Sequence, residues 1–374
     1  MSWQAFRLGD LYQIGSSKRV LKSDWQAEGV PFYRGREITL LSINGFVDNE
    51  LFITEEHYSD LIRKYGAPNE GDIMITAIGT IGNAYIVRKN DRFYFKDASV
   101  LWLKRTSDIS SQFVNLWLQS LHFFEQLESG NGATVDTLSI QKLQNVKINI
   151  PPIQEQQRIV AILDQAFEGI AKARANAEQN LQNARALFES QLQSVFTQRG
   201  DGYEAKIFDE VLEIKNGKDQ KPVEKACGKY PIYGSAGNVM GWTDSYICDE
   251  QTTIIGRKGT INRPIFIETK FWNVDTAFGL AAKPNLNAKF LYFFCLSYDF
   301  SLHNRGTTIP SLVKTDLLNI KISVPSLSVQ ELLVKKFTAL HNETKRLEAN
   351  YQRKITLLDE LKKSLLQQAF SGKL

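Results

Sequence analysis

The chain is written twice, and that constrains its fold more than any other property. Gly132-Ala133-Thr134-Val135-Asp136-Thr137-Leu138 pairs with Gly306-Thr307-Thr308-Ile309-Pro310-Ser311-Leu312. Asn145-Val146-Lys147-Ile148-Asn149-Ile150-Pro151 pairs with Asn319-Ile320-Lys321-Ile322-Ser323-Val324-Pro325. Gln156 matches Gln330 and Phe196 matches Phe370, so one offset of 174 residues holds without a gap over about 65 positions. Upstream the likeness is looser. Pro31-Phe32-Tyr33 matches Pro231-Ile232-Tyr233 at offset 200, Ile78-Gly79-Thr80-Ile81-Gly82 resembles Ile255-Gly256-Arg257-Lys258-Gly259 at 177, and Asp97-Ala98 resembles Asp275-Thr276 at 178. Each half is a variable front joined to a length-locked back, which excludes a single-domain chain. A length of 374 residues agrees, with room for two or three domains and real cores.

The fronts, 1–152 and 203–325, read as mixed α/β. Ile73-Met74-Ile75, Ala84-Tyr85-Ile86-Val87, Ser99-Val100-Leu101-Trp102-Leu103, Thr252-Thr253-Ile254-Ile255 and Pro264-Ile265-Phe266-Ile267 are β-prone runs punctuated by glycine and Asn-Asp. One helix per front is expected, at 111–127 and at 288–296. The backs, 153–202 and 326–374, read as long helices opening after proline. In the first, Leu163, Phe167, Ile170, Arg174, Ala177, Leu181, Ala184, Phe188, Gln191 and Val195 alternate by four and three. In the second, Phe337, Leu340, Thr344, Leu347, Tyr351, Lys354, Leu358, Leu361 and Leu365 do the same, which is a coiled-coil seam. Ser328-Val329-Gln330-Glu331 reads as a capping box for the second helix. The first helix is alanine-rich and the second leucine-rich, so small residues face large ones. The first helix is tethered between the fronts, which favours an intramolecular antiparallel pair, a rod of roughly 65 Å with pseudo-twofold symmetry. Self-association through the same seams is the alternative. The fold class is α+β: two mixed domains joined by two long helices.

The motifs of catalysis do not occur. There is no GxxxxGK loop, no GxGxxG after a strand and no GxSxG elbow, and Ile150-Pro151-Pro152-Ile153 lacks the polar and aromatic ends of an amino-methyltransferase motif. His57, His122, His303 and His341 form no ligand pair and read as ordinary polar positions. Cys227, Cys248 and Cys295 are odd in number without CxxC spacing, so neither a disulfide framework nor a zinc site is expected. Apolar runs fall short of a membrane span and the start has no signal-peptide plan, so a cytoplasmic protein without membrane contact is expected.

What is present is a set of Gly, Thr, Asn and basic residues in loops of both fronts. In the first these are Lys18 and Arg19 after Gly15, Arg34 and Arg36 around Gly35, Thr80 and Asn83 in the Gly79–Gly82 loop, and Asn131 and Thr134 beside Gly132. In the second they are Lys218, then Ser235 and Asn238, then Arg257, Lys258, Thr260, Asn262 and Arg263, then Arg305, Thr307 and Thr308. Glycine lets backbone approach a surface, Arg and Asn match guanine and adenine edges, and Lys and Thr hold phosphate, so these are the candidate DNA-binding residues. Asp97 and Asp275, recurring in both halves, are expected to be buried turn caps, with DNA contact the alternative. The net charge is +4, divided as −1 over 1–150, −1 over 151–202, +2 over 203–325 and +4 over 326–374. No segment is basic enough for strong non-specific binding, which points to partners that add phosphate contacts.

This pattern resembles the specificity subunit of type I restriction–modification systems. The residues that carry the resemblance are Ile148-Asn149-Ile150-Pro151-Pro152 with Glu155-Gln156-Gln157-Arg158-Ile159-Val160, Ile322-Ser323-Val324-Pro325, Gly306-Thr307-Thr308-Ile309-Pro310 and Ala369-Phe370-Ser371-Gly372-Lys373-Leu374. The second copy departs in having Ser328-Val329-Gln330-Glu331 after its proline, and the first has Asp136 where Pro310 stands. The resemblance implies two target-recognition domains, each reading half of a bipartite asymmetric sequence in double-stranded DNA. It implies a coiled coil that sets the spacer and docks two modification (methyltransferase) subunits, with restriction (translocase and endonuclease) subunits joining. It also implies a chain without catalysis or cofactor of its own, S-adenosylmethionine, ATP and magnesium being held by the partners. A stand-alone coiled-coil scaffold is the alternative function, and an enzyme with an unfamiliar site a more distant one.

Overall fold

The computed structural model describes residues 3–128, 137–197 and 202–374. They form two compact units, one made of Met1–Ala175 with Ile355–Leu374, the other of Asn176–Lys354. Each unit therefore takes one front and part of both long helices.

In the first unit the strands are β1 Gln4–Arg7, β2 Tyr12–Gly15, β3 Val30–Tyr33, β4 Phe52–Ile53, β5 Ile73–Thr76, β6 Ala84–Ile86, β7 Tyr94–Phe95, β8 Val100–Arg105 and β9 Lys147–Ile150. β1 pairs with β9 and closes the domain, β2-β8-β5-β6 form an antiparallel sheet, and β4-β3-β7 form a small sheet in which β3 and β7 are parallel. β5 is buried on both faces. Ile73 and Ile75 join the core that contains Phe113 and Trp117, while Met74 joins the one that contains Ile38 and Phe95. That double burial is why the strand reads as a continuous apolar run and not as an alternation.

The second unit repeats the plan with other residues. Its strands are β10 Tyr203–Ile207, β11 Leu212–Asn216, β12 Tyr230–Tyr233, β13 Val239–Thr243, β14 Thr252–Gly256, β15 Ile265–Ile267, β16 Trp272–Asn273, β17 Ala277–Ala282 and β18 Lys321–Pro325. The orders are β10-β18, β11-β17-β14-β15 and β13-β12-β16, again with one parallel pair, β12 with β16. The strand register corrects one offset read from the sequence. Thr76 lies opposite Val100 and Gly256 opposite Ala277, so Thr76 corresponds to Gly256 and the loops that follow are 180 residues apart, not 177. Gly79-Thr80-Ile81 therefore corresponds to Gly259-Thr260-Ile261, and both glycines are left-handed, φ +77° and +80°.

The helix expected over 111–127 is two, Ser111–Leu118 and Leu121–Glu128, broken where buried Ser120 turns its hydroxyl back to the Trp117 carbonyl at 2.6 Å. Its counterpart runs Ala288–Ser297, capped by the Asn287 side chain, which accepts from the N–H groups of Lys289 and Phe290 at 3.0 and 3.1 Å.

The long helices span Ile153–Phe196 and Leu327–Phe370. Every seam position expected in the first is buried or half-buried. In the second the seam holds to Tyr351 and then slips. Leu358 and Leu365 are half-buried as expected, but Lys354 and Leu361 are exposed, while Ile355 takes the place of Lys354 and Leu366 is buried beside Leu365. Thr344, Leu347, Tyr351 and Ile355 thus follow an 11-residue step, which relaxes the supercoil that strict heptads impose. In each unit the two helices run antiparallel. In the first unit Arg174 pairs with Asp359 while Arg158 reaches the Leu374 carbonyl at 2.7 Å. In the second, Arg185 meets Glu348 at 2.8 Å while Phe196 lies beside Phe337. The second helix starts at Leu327, with the N–H groups of Val329 and Gln330 both bonded to the Ser326 carbonyl. Ser328 therefore lies inside the first turn and is not the cap, because β18 ends at Pro325 and the helix begins two residues later, at Leu327.

Candidate nucleic-acid interface

In each unit the candidate loops gather on one turn. In the first it is Lys96 to Ser99, between β7 and β8. Ser16 Oγ donates to the Val100 carbonyl at 3.2 Å and accepts the Ala98 N–H at 3.2 Å, and Ser17 Oγ donates to Phe95 at 2.6 Å, which places Lys18 and Arg19 beside the turn. The Lys96 N–H reaches Tyr33, so Arg34 and Arg36 flank it, and the Ala77 N–H reaches Ser99, which brings in the loop of Thr80. A bridge from Ile78 to Thr137 brings Thr137 to the same loop. Ala98 stands at φ +59°, a left-handed conformation rare for a residue with a Cβ, held by the bonds on either side of it.

In the second unit the hub is Val274 to Ala277. The N–H of Gly217 donates to Ala277 and that of Lys218 to Asn273, Val274 donates to Tyr233, and the N–H groups of Arg257 and Lys258 both reach Thr276. Gly259 N–H donates to Pro310, Lys258 bridges Ser311 and Leu312 N–H donates to Arg257, so residues 310–312 lie against the Arg257–Thr260 loop, with Arg305 N–H bonded to Ser311 behind them. These approaches need glycine. A Cβ on Gly217 would sit 1.8 Å from the Val274 carbonyl oxygen, and one on Gly306 would sit 1.9 Å from that of Ile309.

Two domains of one topology, each collecting basic and hydroxyl side chains on the same turn, match a known family. The family model "Type I restriction modification DNA specificity domain" matches residues 1–179 and again 201–357. The chain belongs to this family. A type I restriction enzyme specificity subunit of Haemophilus influenzae is 32% identical over 46% of this chain, an alignment that spans 41% of that relative's length. The MjaVIII specificity subunit of Methanocaldococcus jannaschii is 22% identical over 100% of this chain and 93% of its own length. Among solved structures, a chain from work on complex assembly and conformational transition of the type I R-M system superposes with a TM-score of 0.83 at 17% identity, covering 100% of this chain and 98% of that one. The HsdS subunit of Thermoanaerobacter tengcongensis gives 0.62, also at 17% identity, over 100% and 97%. These two likenesses are of fold.

Within this specificity-domain frame the candidate side chains are not equally available. Lys258, Thr260, Arg263, Thr307 and Thr308 are exposed, as are Arg19, Thr80, Lys218 and Asn238, and Ser235 is half-exposed. Lys18 is exposed, with its ammonium 5.3 Å from the Tyr65 ring. Arg257 lies 5.6 Å over the Phe278 ring. Others are engaged inside the domain. Arg34 forks onto Glu37 at 2.8 and 3.1 Å, and Arg36 meets Glu37 at 3.2 Å and Glu50 at 3.0 Å. Asn262 has both ends of its amide used, donating to Asp299 at 2.6 Å and accepting the Phe300 N–H at 2.7 Å. Asn83 donates to Thr39, and Arg305 pairs with Asp316 at 2.8 Å. Asn131 and Thr134 lie outside the described residues. The aspartates expected as buried caps are not buried; Asp275 is exposed and Asp97 half-exposed, because the turns they occupy are the outward hubs themselves.

Sequence reasoning overlooked Glu37, whose side chain is fully buried. Burial alone would raise its pKa, but the Arg34 hydrogen bonds, side-chain and backbone, hold it below the usual carboxylate range. The signal was present: a Glu three residues after Arg34, at the start of the helix Gly35–Asn44. Among the described residues no group of three His, Cys, Asp or Glu could hold a metal ion, and no helix is long and apolar enough to cross a membrane.

Proposed function

We propose that the chain is the DNA-specificity subunit of a type I restriction–modification complex. Each recognition domain reads one half of a bipartite, asymmetric target in double-stranded DNA. The paired helices fix the unread spacer and dock two modification subunits, to which restriction subunits add translocation and cleavage. The chain is itself non-catalytic, with S-adenosylmethionine, ATP and magnesium held by its partners. The observation that carries this reading is one strand order built twice with unlike residues on equivalent hub loops. Two unlike readers on one plan suit two unlike half-sites.

The comparison between domains also sorts the contacts. Gly79-Thr80-Ile81 and Gly259-Thr260-Ile261 are the same tripeptide at the same place. What two unlike half-sites have in common is their phosphate backbone, so Thr80 and Thr260 hold phosphate. The residues that differ, Arg19 in one domain and Ser235, Asn238, Arg257 and Arg263 in the other, carry the base reading. The test is to co-express the chain with its cognate modification subunit and map methylated adenines across a genome. A bipartite motif with one fixed spacer is expected, and an assembled complex whose methylome lacks such a motif overturns the reading.

A further inference from the structure

Gln156 and Gln330, 174 residues apart, are buried side chains at the start of the two long helices, 3% and 0% exposed. Each makes the same pair of connections. Gln156 Oε1 accepts the Ser110 N–H at 3.0 Å, and its Nε2 donates to the Pro151 carbonyl at 2.9 Å. Gln330 Oε1 accepts the Asn287 N–H at 2.7 Å, and its Nε2 donates to the carbonyls of Pro325 at 2.8 Å and Asn285 at 3.2 Å. Ser110 and Asn287 are the N-caps of the helices Ser111–Leu118 and Ala288–Ser297, which lie in the cores of their recognition domains. One amide in each unit thus ties the lead-in of a long helix to the N-cap of a recognition-domain helix.

The remaining contacts at this junction are of a different kind. Ile159 and Leu163 of the first long helix, and Leu333 and Val334 of the second, join the domain cores through apolar packing. Apolar packing is non-directional and tolerates small slides, whereas a buried amide with both ends satisfied permits one register and leaves polar groups unpaired in any other. The strand-to-helix links are Pro151-Pro152 and Ser326.

We infer that Gln156 and Gln330 are positioning residues that lock each recognition domain in register on its long helix and thereby set the spacer length tolerated between half-sites. This rests on the DNA-specificity reading above. Neither glutamine touches DNA in this account. Base pairs are about 3.4 Å apart along the duplex, so a joint that yields by that distance admits a spacer one base pair longer or shorter, while the bases read at each end stay the same.

The experiment uses the full chain co-expressed with its modification subunit, in wild-type form and as Gln156→Met and Gln330→Met, which keep the volume and remove both hydrogen bonds. Methylomes are mapped for each, with complex assembly and thermal midpoint recorded. A fixed-spacer bipartite motif in the wild type is the condition on which the inference rests; its absence overturns the specificity reading and this inference with it. Given that motif, each Met variant is expected to keep the bases of both half-sites and to raise methylation at sites with a spacer changed by one base pair, by about tenfold, the factor carried by one buried hydrogen bond. Gln156→Glu, which as a buried protonated acid keeps the acceptor facing Ser110 and a donor facing the Pro151 carbonyl, is expected to restore the single spacer. A merely structural role would lower methylation at every site with the spacer unchanged, and that result overturns the inference. Should the Met variants fail to assemble, Ser110→Pro and Asn287→Pro remove the same N–H from the other side, at φ −68° and −69° where proline fits, and Ser110→Ala and Asn287→Ala, which lose the cap but keep that N–H, are expected to leave the spacer single. The proline variants carry the same expectation and the same overturning result.

Discussion

Phe370 packs edge-on against Phe113, the ring centroids 5.2 Å apart and the planes at 70°. Phe113 is fully buried in the first unit, and Phe370 comes from the far end of the second long helix. In the second unit Phe196, at the far end of the first long helix, meets Phe290 at 5.0 Å. The repeat thus preserves a phenylalanine that completes a recognition-domain core. Phe370→Ala removes a ring from a packed site and is expected to cost about 3–5 kcal/mol. Urea denaturation of the purified chain checks this, and an unchanged midpoint would contradict the packing described.

Arg34 is held by Glu37, so replacing it tests stability before it tests DNA reading. Arg34→Ala removes both Arg34 side-chain hydrogen bonds from the buried Glu37 carboxylate, leaving it the Arg36 guanidinium and the residue-34 N–H, at an expected cost of about 2 kcal/mol near neutral pH. Glu37 has a lowered native pKa, so its contribution is present above the ordinary glutamate value, about 4.3, and is lost as pH falls through the native one. In the variant the carboxyl can protonate early. The gap between wild type and Arg34→Ala is therefore expected to narrow as pH falls from 7 towards 4, measured by urea midpoints across that range.

The loop residues separate into two behaviours. Lys258→Ala and Thr260→Ala are expected to weaken binding to all DNA alike, and the lysine change to reduce the salt slope by about one. Arg257→Ala or Arg263→Ala is expected to cost about 1–3 kcal/mol on the cognate second half-site only. Asn262→Ala is expected to act through stability, since its amide holds Asp299 and Phe300. Binding titrations on cognate and scrambled duplexes at two salt concentrations distinguish these outcomes.

How much of this was legible in the chain follows from where each signal comes from. The length-locked backs were plain because Ile148, Ile150, Ile322 and Val324 face domain cores and their spacing cannot drift. The seam of the first helix was legible for the same reason. The slip after Tyr351 was not, because Leu361 is as apolar as Leu358 and only packing decides which of them is covered. The true correspondence of Thr80 with Thr260 was hidden because strand register, not local similarity, aligns them. The candidate site was half legible. Its loops were found from glycine and charge, but which of their side chains are already engaged depended on Glu37, Glu50, Asp299 and Asp316, three of which come from other loops or helices.

The three cysteines are expected to differ in reactivity. Cys248 and Cys295 are buried, and burial pushes the Cys248 thiol up to about 12 and that of Cys295 upward too, which keeps both as unreactive thiols. Cys227 is exposed. Iodoacetamide at pH 8 is expected to modify Cys227 alone in the native protein and all three in urea, as read by peptide mass spectrometry.

His341 is expected to make the second unit less stable below neutral pH. Its ring lies 5.1 Å from Phe188 and 6.3 Å from Phe293, and its Nδ1 is buried without a hydrogen-bond partner. Burial holds its pKa below the ordinary value and Lys345 pushes the same way, against a smaller opposite effect from Glu348. Glu268 and Lys289, paired with each other at 2.9 Å, line the same cavity. A histidine with a lowered native pKa binds its proton more readily when unfolded. Stability is therefore complete above the unfolded value, about 6.5, and declines as pH falls below it. His341→Phe keeps the aromatic contact with Phe188 and removes the titration. The loss of stability of the wild type between pH 7.5 and 5.5 is expected to exceed that of the variant, and equal losses in urea denaturation would show that His341 does not titrate in this window.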